Sequence, residues 1–154
     1  MKIALKYGLL ITFVVIAWIM WSRYTMEMGP ASPANVIAPI LFNLASLVAI
    51  FLGMRARKKE LNGDLGFKEG LKTGMGISLV YAVTSCLFFI IQFLIAGPKL
   101  LLNEAAPSGR PLWQIAAIAY TGLFFGALVA GLIFSTLIAF FLARRRHRSY
   151  TEIV

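Results

Sequence analysis

The sequence predicts an all-α membrane protein whose four transmembrane helices form two in-out-in hairpins, and three observations carry that expectation. Of 154 residues, 60% are hydrophobic, and the mean hydropathy is +0.83, well beyond what a water-soluble domain of this size carries. The apolar residues fall into four runs, about 5–21, 36–54, 73–95 and 115–143, separated by Pro/Gly-rich or charged stretches. The Lys and Arg residues gather beside alternate ends of those runs rather than evenly.

The first run follows Lys2 and Lys6 and reaches the lower limit for a span, roughly 17 residues at about 1.5 Å each. Such a start also suits a signal peptide. The run ends in Ile19-Met-Trp-Ser-Arg-Tyr24, without a small-x-small cleavage site. The Ala/Ser-rich residues after Met28 are interrupted by Pro30 and Pro33, so we expect a retained helix. Trp18, Trp21 and Tyr24 mark its headgroup layer.

Residues 25–35 read as a loop, because two prolines and a glycine oppose a helix. In the second run Ala45, Ala49 and Gly53 recur every four positions and so share one helix face, a ridge that permits close approach of a neighbour. The helix is expected to continue through Arg55–Glu60, with Gly63 as a left-handed C-cap after Asn62.

The stretch 55–72 is too charged to cross a bilayer and reads as a water-facing loop between two spans. Gly66 with Glu69 three residues on suggests a capping box for the third helix. There Gly70, Gly74, Ser78, Ala82 and Cys86 repeat at four-residue spacing, a face nearly free of bulk. Cys86 reads as a small packing residue, since a lone cysteine forms no intramolecular disulfide and no metal pair.

The outer connection, 96–113, holds Pro98, Pro107 and Pro111, with Lys99–Glu104 suited to the membrane surface. Pro111 suits the first turn of the fourth helix, and Trp113 supplies another interfacial ring. The fourth run, at roughly 43 Å, overshoots a hydrocarbon core of about 30 Å and must tilt, bend or project. Ala119, Gly122, Gly126 and Ala130 are read as its small-residue ridge, and Arg144, Arg145, Arg146 and Arg148 close it like a stop-transfer signal.

Four spans place both termini and the 55–72 loop on one side. That side holds Lys2, Lys6, Arg55, Arg57, Lys58, Lys59, Lys68, Lys72, Arg144, Arg145, Arg146 and Arg148, twelve of the fifteen basic residues; Arg23, Lys99 and Arg110 fall on the other. By the positive-inside rule the termini are expected in the cytoplasm.

The opening Lys2-Ile-Ala-Leu-Lys-Tyr-Gly8, the helix ending in Gly53-Met-Arg-Ala-Arg-Lys-Lys-Glu60, Asn62-Gly63 and Phe67-Lys-Glu-Gly70-Leu-Lys-Thr-Gly74 together resemble the small bacterial membrane proteins catalogued as domain of unknown function 4199. The resemblance covers nearly the whole chain and rests on the order Arg/Lys run, Asn-Gly, Phe, Gly-x-x-x-Gly. It implies a four-helix bacterial inner-membrane protein and no established activity. The Pro-rich outer loop from Pro98 to Pro111 departs from the pattern.

Ionisable groups inside spans mark catalytic or ion-coupled sites, and here every Asp, Glu, Lys, Arg and the single His147 lies in a loop, a terminus or an interface turn. We therefore expect no enzyme, no catalytic residue, no metal and no cofactor. Nucleic acid is an unsuitable partner for a basic face without base-reading or stacking residues. The spans hold a polar layer of Thr12, Asn43, Ser46, Thr84 and Ser85, read as interhelical hydrogen bonding or as a polar wall for a small solute. Arg55, Arg57, Lys58, Lys59, Arg144, Arg145, Arg146 and Arg148 set topology or hold anionic lipid or an acidic partner. Two functions stay open: a non-enzymatic interaction module, in which helix faces join a second copy or a membrane partner, and a subunit of a small oligomeric transporter or channel.

Overall fold

In hydrocarbon a backbone N–H or C=O has no water to bond, so a spanning segment must satisfy its polar groups internally, and an α-helix does this within one segment. The structure, a computed structural model, describes residues 2–25, 33–96 and 109–144. It has four helices: α1 (Lys2–Thr25), α2 (Pro33–Glu60), α3 (Phe67–Ala96) and α4 (Leu112–Arg144). With 24 to 33 residues each, they run about 36 to 50 Å, and all four are long and apolar enough to cross a membrane.

Each helix extends beyond its apolar run. Pro33–Asn35, expected in a loop, are instead the first residues of α2, where the missing N–H of Pro33 costs nothing because that group has no intrahelical acceptor. Of the stretch 55–72 only 61–66 is non-helical. Its turn is a Schellman motif: Gly63 N–H donates to the Lys58 carbonyl at 2.8 Å and Asn62 N–H to that of Lys59 at 3.2 Å. The left-handed residue at the first position past the helix is therefore Asn62 (φ 52°), with Gly63 (φ 92°) following, one residue earlier than expected. Leu65, 3% exposed, pins this connection into the core. The expected capping box does not form, because the Glu69 carboxylate turns to Arg57 at 3.6 Å. At the start of α4 the Pro111 carbonyl accepts from Ile115 N–H, so Pro111 stands just ahead of the first turn. The surface piece expected at Lys99–Glu104 and Arg145, Arg146 and Arg148 lie outside the described residues, and Arg144 is described only as the last residue of α4.

Helices α2 and α3 each pack against all three others, whereas α1 and α4 stand on opposite sides of them. The α1/α3 contact has one constant register, with partners 72 positions apart: Ala4 meets Gly76, Gly8 meets Val80, and Thr12 meets Thr84. The α3/α4 contact runs the other way. Gly70 meets Ala139, Gly74 meets Ser135 and Ser78 meets Gly131, each step of four forward on α3 being four back on α4. The core is Ile11, Val15, Ala49, Ile50, Met54, Ile77, Tyr81 and Ala139, while leucines, isoleucines and phenylalanines from all four helices face outward. Buried hydroxyls inside and large apolar side chains outside suit a lipid solvent, which rewards close fit between helices rather than apolar burial.

Candidate functional site

The helix registers bring the start of α1, the end of α2, the start of α3 and the end of α4 to one end of the bundle. Close approach makes this possible. A Cβ on Gly53 would run into Ile77 and crowd the Tyr7 ring at 3.3 Å, so the glycine lets α1 and α3 come close to α2 here. Lys2, Lys6, Arg55, Arg57, Lys58, Lys59, Lys68 and Lys72 all stand at this end. The opposite end carries all three tryptophans: half-buried Trp18, exposed Trp21 and exposed Trp113.

The four cations that the sequence groups at the end of α2 divide into two pairs. Arg57 bonds Glu60 at 2.8 Å and reaches Glu69 at 3.6 Å, tying the end of α2 to the start of α3. Lys58 donates from Nζ to the Leu142 carbonyl at 3.2 Å, satisfying one of the last-turn carbonyls that α4 cannot bond itself. Arg55 and Lys59 are exposed, and among the described residues neither pairs with a carboxylate. They line a cleft of about 370 Å³ between α1 and α2 with Tyr7, Leu52 and Ala56. Lys6 Nζ lies 5.8 Å from the centre of the Tyr7 ring, within cation–π range.

The small-residue positions are placed unequally. Ala49, Gly53, Gly70, Gly74, Ser78 and Ala82 are buried, and Ala45 is half-buried against the core. On α4 the expected ridge divides: Gly122 and Gly126 are exposed, with open space where a Cβ would go, while Ala130 is half-buried and Ala119 is half-buried beside Ile115 and Ala116. The face of α4 that meets α3 is Ala127, Gly131, Ser135 and Ala139. Its pairing with α3 alternates in kind. Gly74 leaves room for Ser135, and Gly131 leaves room for Ser78. Cys86 faces the Tyr120 carbonyl with its Sγ 3.7 Å away. Tyr120 also donates its hydroxyl to the Phe89 carbonyl at 3.3 Å and stacks on the Phe89 ring.

The five expected polar residues do not form one layer. Thr12 and Thr84 share a hydrogen bond of 2.5 Å between α1 and α3. Ser46 is buried and donates to the Phe42 carbonyl of its own helix, and Ser85 is buried within the bundle. Asn43 stands exposed on α2, its amide donating to the Pro39 carbonyl at 2.8 Å, on a face that no other described helix covers. Among the described residues no three His, Cys, Asp or Glu side chains come together to hold a metal.

Four long apolar helices with their bulk outward and their charge at the ends define a multi-pass, four-helix membrane protein. Over residues 6–144 the chain matches the family described as Protein of unknown function (DUF4199), and it belongs to that family. No curated protein and no solved structure matches it.

Proposed function

We propose that this chain is a non-enzymatic interaction or accessory module of the bacterial inner membrane, with both termini in the cytoplasm and its basic end presented to anionic lipid. Association with a second copy or a membrane partner would use faces that the bundle leaves open, such as the one bearing Gly122 and Gly126. The observation that supports this reading best is the division of the cations. Lys2, Lys6, Arg55, Lys59, Lys68 and Lys72 are exposed at one end of the bundle, whereas Arg57 is committed to Glu60 and Glu69. Exposed cations beside an anionic leaflet contribute about 1 kcal/mol each, and that attraction is screened over about 8 Å at physiological salt.

Three measurements test the proposal. A reporter active only outside the cytoplasm should be silent when fused after Val154 or inserted near Asn62, and active near Ser108; the reverse pattern overturns the orientation. Purified protein should retain anionic lipid over zwitterionic lipid, with the preference fading as salt rises. Liposomes carrying it should pass no small solute or ion, and a reproducible flux would favour the transporter reading instead.

A further inference from the structure

We propose that the cleft between α1 and α2 is a discrete site for one phosphate-bearing anionic lipid, with Arg55 and Lys59 taking the headgroup phosphate and Leu52 taking the start of an acyl chain. This deepens the proposed lipid-facing role and rests on it.

The first reason is the order of residues along α2. Leu52, Arg55, Ala56 and Lys59 stand at i, i+3, i+4 and i+7, so they form one stripe facing the cleft. From Leu52 to Lys59 the stripe climbs about 10 Å of helix axis, passing from an apolar side chain to two cations. A lipid has the same order, chain then phosphate, over a similar distance. The second reason is availability. Of the four cations at this end of α2, Arg57 is held by Glu60 and Glu69 and Lys58 by the Leu142 carbonyl, so the pair left uncommitted is the pair that lines the cleft. The third is the opposite wall. The Tyr7 ring lies close beside Gly53 of α2, and Lys6 Nζ, 5.8 Å from the centre of that ring, brings a third cation near this wall. A guanidinium presents a planar fork that matches phosphate oxygens, while Lys59 adds a mobile point charge, so Arg55 is the orienting group of the two.

The test uses the full chain in mild detergent, with native mass spectrometry reading retained phosphatidylglycerol against phosphatidylcholine. Two double variants remove equal charge from the same end: Arg55→Gln with Lys59→Gln inside the cleft, and Lys68→Gln with Lys72→Gln outside it. All four side chains are exposed, and unchanged thermal unfolding of each variant checks that the bundle is intact. The cleft variant should bind phosphatidylglycerol about thirtyfold more weakly, the loss of two cationic contacts, while the outside variant stays within about threefold of the parent. Glycerol phosphate at the same phosphate concentration should not displace the lipid, because it has no chain to lay on Leu52. Equal losses in both variants overturn the discrete site and leave a diffuse basic end. No loss in the cleft variant, or displacement by glycerol phosphate, also overturns it. A parent protein with no preference for phosphatidylglycerol would remove the broader lipid-facing role as well.

Discussion

Gly74→Ala and Gly126→Ala make the same chemical change one helix apart and should have opposite signs. In a helix interior, Ala is favoured over Gly by about 1 kcal/mol, and at Gly126 nothing stands within reach of the new methyl. Gly126→Ala should therefore stabilise by roughly 0.5–1 kcal/mol. At Gly74 the added Cβ would lie 2.7 Å from Ser135 Cβ and 2.6 Å from Met54 Cε. The methionine end can swing aside, but Ser135 Cβ is fixed to its backbone, so α3 and α4 must move apart. Overpacking of this kind costs about 1–3 kcal/mol, and here the upper half applies because the contacts at Gly70/Ala139 and Ser78/Gly131 loosen with it. After the propensity gain the net loss is about 1–2 kcal/mol. Reversible unfolding in detergent measures both variants. Adding Ser135→Gly to Gly74→Ala should recover most of the loss, since the room is then supplied from the other side. If the two alanine variants agree in sign to within about 0.5 kcal/mol, or if Ser135→Gly restores nothing, the packing register of α3 on α4 is wrong.

A double-mutant cycle with Thr12→Val and Thr84→Val should give a coupling of about 0.6 kcal/mol, the average for hydrogen bonds between membrane helices, and a coupling of zero would remove the contact between α1 and α3. Leu65→Ala should cost about 2–3 kcal/mol and expose residues 61–66 to limited proteolysis, because this side chain anchors the connection; a cleavage pattern like that of the parent would argue against it. Asn62→Gly should be close to neutral and Asn62→Val should lose roughly 1–2 kcal/mol, since a β-branched residue resists φ 52°; equal melting of the two would place the left-handed residue elsewhere.

Where one helix alone carried the information, the sequence was readable. The α3 ridge is an unbroken series at four-residue steps, Gly70 to Cys86, and no other face of that helix is as small, so its inward direction followed from spacing. Helix α4 has small residues on more than one face. Reading Ala119, Gly122, Gly126 and Ala130 as the ridge favoured glycines and accepted a three-residue step from 119 to 122. Ala127, Gly131, Ser135 and Ala139 keep the step of four throughout, and that regularity was the available signal. Its decisive feature is complementarity with α3, a serine against a glycine at both Gly74/Ser135 and Ser78/Gly131, which only a paired register exposes. The same limit applies to the cations. Four neighbours in sequence look alike until Lys58 is seen to bond a carbonyl 84 positions away. The Asn43 amide lies at similar depth to the span hydroxyls by counting along its run, but depth does not say which way a helix face turns.

The constant 72-position offset between α1 and α3 sets an order in time. A chain made from its N-terminus delivers α1 and α2 to the bilayer before α3, the helix on which both lean, has been synthesised. During that interval Thr12 has no Thr84 to meet. It is not stranded, because its hydroxyl also donates to the Gly8 carbonyl one turn back, and Ser46 and Ser78 make the same bond to Phe42 and Gly74. Helices α1, α2 and α3 can thus enter hydrocarbon with these three hydroxyls already satisfied, before the contacts between helices form.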